Sequence, residues 1–231
     1  MQKNGKESES HSMEERTYWD GVDFSNPYQM GPQKHRLYIL DKLREIGVVT
    51  LLDVGCGTAP LYDLIINPSI EGRWDNIHKY KGTDYSWRMI ETAKKLFPYG
   101  KFEVQDARKM SELDASWDCV LFMHSLDHLD DYKVAIAEAV RVSRKYIAFI
   151  FWRGFVNEGT NLNSRNEMGK KKDPVTGELL EPPWEDTHLQ EYSRDALIVE
   201  FDKYNLIDVD IAEGEEVSDP GKYNFIWILK K

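Results

Sequence analysis

Apolar side chains recur along this chain at two spacings that take turns. Between residues 33 and 46, Leu37, Leu40, Leu43 and Ile46 fall on one side of a helix, and Gly47 supplies the stop. Leu51-Leu52-Asp53-Val54 then reads as a buried strand that breaks at Gly55-Cys56-Gly57. The stretch 60–66 reads as the next helix, with Pro60 suited to its first turn because the missing N–H would have no partner there. A short strand over 80–84 leads to a helix over 87–97, where Met89, Ile90, Ala93, Leu96 and Phe97 keep helical spacing until Pro98 blocks continuation. Phe102-Glu103-Val104-Gln105-Asp106 alternates as a strand, and 117–123 reads as a buried one. A helix over about 132–142 precedes a fifth strand, Tyr146 to Trp152. Such alternation predicts a parallel sheet joined by right-handed crossovers.

The rhythm stops at residue 153. Residues 153–187 hold glycines at 154, 159, 169 and 177 and prolines at 174, 182 and 183, with no sustained periodicity. A stretch of that length and composition suits a lid or insertion better than a core element. Ser193 can then cap a helix running to about residue 204, with Asp195 in its favourable first turn. Two more strands, 207–211 and 223–229, flank an acidic loop. At the other end, residues 1–12 have almost nothing to bury and read as a disordered tail. Tyr18, Trp19, Phe24 and Tyr28 follow. The organisation expected is a single domain over 13–231, with 13–47 as an N-terminal helical cover.

Composition narrows the function. A length of 231 residues fits one domain with a sizeable core. The 2 cysteines give neither a disulfide framework nor a metal-ligand spacing. No apolar run reaches 18 residues, so no membrane partner and a cytoplasmic location are expected. A net charge of −10 argues against a nucleic-acid partner, whose binding depends on cationic contacts to phosphate. Lys170-Lys171-Lys172 with Arg165 is the one basic cluster, and such runs are mostly solvated loops.

The candidate chemistry begins at Asp53-Val54-Gly55-Cys56-Gly57. Gly55 and Gly57 permit positive φ and lack the Cβ atoms that would keep a ligand off the backbone. A strand–turn–helix corner of this kind offers amides to an adenosine-containing cofactor. The dinucleotide fingerprint fits poorly, because its sixth position is Pro60 and the next acid at a strand end, Asp84, comes 31 positions after Asp53. The phosphate-cradling loop fails too, since no Gly-Lys-Ser/Thr follows. The corner instead resembles motif I of the class I S-adenosylmethionine-dependent methyltransferases. Tyr80-Lys81-Gly82-Thr83-Asp84-Tyr85 resembles the second motif, which implies Asp84 on the ribose hydroxyls and Tyr85 against the adenine. A carboxylate suits a cis-diol because it accepts at two oxygens. Asp106 and Ala107 match the third motif, on the adenine edge, and His124 to Leu129 resembles the fourth.

The resemblance covers about residues 34–152 and 189–231 and implies an α/β, doubly wound, mostly parallel seven-stranded sheet. Its last strand runs antiparallel, between the fifth and sixth. It also implies S-adenosyl-L-methionine as cofactor and S-adenosyl-L-homocysteine as product. The implied cofactor set is Asp53, Gly55, Cys56, Gly57, Asp84, Tyr85, Met89, Asp106, Ala107, Met123 and His124. A lone Asp after a strand is most often a helix cap, but Asp53, Asp84 and Asp106 together keep the motif spacing. Cys56 reads as a small packable residue rather than a nucleophile. His124 and His128 are the candidate bases, although a histidine at the second position often only packs. Tyr18, Trp19, Trp152, Trp184 and His188 are the candidate walls of an acceptor site; packing is the competing role for these aromatics. The function expected is methyl transfer to O or N of a small molecule. Protein methylation and a non-catalytic S-adenosylmethionine-binding regulator are the alternatives.

Overall fold

A computed structural model describes residues 33–67, 74–129, 131–151, 193–218 and 224–231. Helix α1 (Lys34–Glu45) leads to strand β1 (Thr50–Val54) and α2 (Pro60–Ile66). Then come β2 (Lys79–Asp84), α3 (Trp87–Leu96), β3 (Phe102–Val104) and β4 (Trp117–Met123). A single 3₁₀ turn (Leu126–His128) precedes α4 (Tyr132–Val142) and β5 (Ser143–Phe151). The chain closes with α5 (Arg194–Asp202), β6 (Ile207–Glu213) and β7 (Phe225–Lys230). These elements fall within a few residues of those predicted. Gly47 ends α1 at φ +71°, and the Ser86 and Ser193 hydroxyls accept N–H groups at the starts of α3 and α5.

The strands form one sheet in the order β3-β2-β1-β4-β5-β7-β6. All neighbours run parallel except β7, which is antiparallel to both β5 and β6. The predicted placement of the last strand is therefore observed. Alternation along the strands sorts the core into two layers. Leu51, Cys119, Leu121, Ala148, Ile150, Ile226 and Ile228 meet α1, α2 and α3 on one face. Leu52, Val54, Val120, Phe122, Ile147, Phe149 and Trp227 meet α4 and α5 on the other. Central strands buried on both faces read as near-continuous apolar runs, as β4 does from Cys119 to Met123. Among the described residues no helix is long and apolar enough to cross a membrane.

Strand order fixes where a ligand can sit. From β1 the chain moves outward to β2 and β3, then returns past β1 to β4. The connections leaving the carboxyl ends of β1 and β4 go to opposite faces and open a crevice between them. Register brings Val54 level with Thr83 and with Phe122, so Gly55, just past β1, lies level with Asp84 and Met123 at the ends of β2 and β4.

Candidate active site

Gly55 adopts φ +78°, and a Cβ there would collide with the side chain of Ser125, which follows β4. The Ser125 hydroxyl donates to the Val54 carbonyl, fastening the two strand ends across the crevice. Gly57 also has positive φ, +55°, but open space around it. The corner's amides are not the free donors expected from the sequence. Gly55 and Cys56 N–H donate to the Thr83 carbonyl at 2.7 and 2.9 Å, and Ala59 N–H to the Cys56 carbonyl at 2.9 Å. Gly57 N–H donates to Asp84 Oδ2 at 2.9 Å. With β2 alongside, its last carbonyl and its terminal acid lie within reach of the turn and satisfy it.

A cavity of about 150 Å³ opens above this corner. Its wall includes Gly55, Gly57, Asp84, Tyr85, Met89, Asp106, Ala107, His124 and His128, all candidates from the sequence. Val54, Gln105, Arg108, Ser125 and Leu129 also line it and had not been singled out. Asp53, Cys56 and Met123, also expected from the sequence, do not line this cavity. Tyr18, Trp19, Trp152, Trp184 and His188 lie outside the described residues, as do residues 153–187.

Asp53 sits one residue before the end of β1, level with Gly82 of β2 and Leu121 of β4. Its side chain is 2 % exposed and accepts from the Tyr80 hydroxyl at 2.6 Å. Burial pushes its carboxyl up to about 7; the Tyr80 hydrogen bond and nearby Arg36 oppose this, and the Asp84 carboxylate adds to it. Asp53 thus braces the first two strands from inside. Cys56 is buried too, and burial pushes its thiol well above the usual range, in keeping with a packing role.

Asp84 ends β2 and faces the cavity. Oδ2 holds Gly57 N–H and Oδ1 takes Ser86 N–H at 2.9 Å. Two carboxylate oxygens suit the two hydroxyls of a diol. Asp106 is reached through Gln105, whose N–H donates to the Asp84 carbonyl at 2.9 Å. Its carboxylate takes Arg108 N–H and Nε at 2.9 Å on Oδ1, and Nη2 at 2.8 Å on Oδ2. Burial pushes the Asp106 carboxyl up, but these Arg108 bonds outweigh it and hold the group below its ordinary range.

His124 is the first residue beyond β4. It has φ +55°, and its N–H donates to the Ile150 carbonyl at 2.8 Å. That left-handed turn redirects the chain at the end of a buried strand and brings His124 into the cavity wall. His35, from the first turn of α1 and 1 % exposed, meets the His124 ring edge-on, with centroids 4.9 Å apart and planes at 77°. Arg36 beside it is buried as well. No signal marked these two residues, since Gln33-Lys34-His35-Arg36 reads as the polar start of a helix.

Residues 52–151 match the family described as methyltransferase domain. A relative called O-methyltransferase, from Pyrenophora dematioidea, is 28% identical over 134 residues, covering 55% of this chain and 48% of the relative. The chain thus spans about half the length of that curated relative. Among solved structures, the magnesium protoporphyrin IX methyltransferase of Synechocystis PCC 6803, with bound S-adenosylmethionine, has a TM-score of 0.63 at 12% identity. That likeness covers 96% of this chain and 97% of the other. A S-adenosylmethionine-dependent methyltransferase of Aquifex aeolicus gives 0.55 at 19% identity, covering 88% and 95%. At such identities the likeness is one of fold.

Proposed function

We propose that the chain, whose residues 52–151 match the family described as methyltransferase domain, moves a methyl group from S-adenosyl-L-methionine to O or N of a small molecule. The observation that carries this reading is one cavity wall holding Gly57, Asp84, Asp106 and Ala107 from three neighbouring strand ends. Strands about 4.8 Å apart distribute these groups over the length of a nucleoside. Gly57 lets a ligand approach the backbone, the two carboxylate oxygens of Asp84 suit a ribose diol, and Ala107 and Asp106 meet the base. When bound, the cofactor supplies a methyl group activated by the positive charge of its sulfonium.

The chain's own task is then to orient the acceptor and, where the acceptor is a hydroxyl or protonated amine, to take its proton. His124 and His128 line the same cavity and are the bases proposed for that step. The name of the Pyrenophora relative favours oxygen as the acceptor atom. Incubation with cofactor labelled in its methyl group, against a panel of phenols, alcohols and amines, tests the reading. Label in a small organic product supports it. Label on protein side chains would overturn the small-molecule acceptor. Tight cofactor binding without transfer to any acceptor would point instead to a regulatory binder.

A further inference from the structure

We propose that Arg108 competes with the base of an adenosine-containing ligand for Asp106, so that it limits how tightly the chain holds its cofactor. This inference rests on the cofactor reading above. A ribose held by Asp84 places its base toward β3, because Asp84 pairs with Val104 and Asp106 follows two residues later on the same cavity wall. The adenine amino group then needs a lone pair on Asp106. Arg108 already uses both oxygens, through its N–H and Nε to Oδ1 and through Nε, at 3.2 Å, and Nη2 to Oδ2. These contacts use three donor hydrogens, the Nε one shared between both oxygens, against the roughly four acceptor positions a carboxylate offers. An amino group that enters competes with the guanidinium for these oxygens, and exchanges a bond from a cationic donor for one from a neutral donor.

Neither partner is locked in the interior. The Arg108 and Asp106 side chains are 19 % and 32 % exposed, so the guanidinium can turn toward water once released. Arg108 lines the cavity itself, which leaves it beside the incoming base rather than behind the acid. A residue that merely pre-oriented Asp106 from outside would leave the cavity-facing lone pairs open. Here the guanidinium sits on both oxygens.

Titration calorimetry with S-adenosyl-L-homocysteine tests this without turnover. Arg108→Met keeps the length of the side chain, removes every side-chain donor while leaving the backbone N–H on Oδ1, and should tighten binding by about two- to fivefold, the loss of one partly exposed competing ion pair. Arg108→Lys keeps the charge but not the fork and should fall between wild type and Arg108→Met. In an Asp106→Asn background the Arg108→Met gain should vanish, because the contested carboxylate is gone. Wild-type binding with Arg108→Met unchanged or weaker would overturn the competition while leaving the cofactor reading intact. A folded wild type that binds no S-adenosyl-L-homocysteine would overturn the cofactor reading itself.

Discussion

The corners after β1 and β2 are assembled from the same parts: an apolar strand, an acid near its end, a turn and a helix. Their acids do opposite jobs. Asp53 is one residue short of its strand end, so it still belongs to the ladder and points into the layer beneath α1, against Tyr80. Asp84 is the last residue of β2 and reaches over the edge, where it holds Gly57 and Ser86 and faces the cavity. One step of register separates a carboxylate that braces the sheet from one that can meet a ligand.

The first corner should be the more fragile. Gly55→Val forces a β-branched residue to φ +78° and drives its side chain into Ser125. Backbone strain plus overpacking should destabilise the fold by roughly 3 kcal/mol. Gly57→Ala, with open space around it, should cost no more than about 1–2 kcal/mol. Thermal melts compare the two, and equal losses would show that close approach to Ser125 does not govern the corner.

The second corner should be the more important for binding. Asp84→Ala should lower affinity for S-adenosyl-L-homocysteine at least about tenfold, since charge-assisted bonds contribute roughly 1.5–3 kcal/mol each. Calorimetry on the folded variant reads this directly; unchanged affinity would reduce Asp84 to a brace like Asp53.

Asp53 should instead reveal itself through pH. Its folded value, about 7, lies above its ordinary 3.8, so the folded state holds a proton that the unfolded chain has released between those values. Its contribution is therefore present at low pH and lost as pH rises through that window. Asp53→Asn should flatten the fall, with a difference on the order of 2 kcal/mol between pH 5 and 7.5. Urea unfolding at the two pH values measures it, and an unaltered slope would contradict the burial argument. The smallest effect is expected from Tyr80→Phe, which removes a donor from Asp53. It should cost about 1 kcal/mol at neutral pH and less at pH 5, where the protonated carboxyl needs no such donor.

Much of this was legible in the sequence. Hydrophobic period and turn residues located each α-helix and strand described, though not the 3₁₀ turn after β4, and the spacing of acids after apolar strands pointed to one edge of the sheet. What escaped depended on register and on partners distant in the chain. Asp53 and Asp84 look equivalent until the ladder shows which of them still lies inside it. The amides of Gly55 and Cys56 look free until β2 delivers the Thr83 carbonyl. His35 looks like a polar helix start until α1 is laid across the end of β4, edge-on to His124. Arg108 lies only two residues from Asp106, yet its fork onto that acid depends on a turn whose shape spacing alone does not specify.

Isothermal titration of the wild-type chain with S-adenosyl-L-methionine, S-adenosyl-L-homocysteine and NAD addresses the central claim most directly. The cavity formed by Gly57, Asp84 and Asp106 predicts saturable binding of both sulfur compounds and no heat with NAD. Binding of NAD, with no response to either sulfur compound, would contradict it.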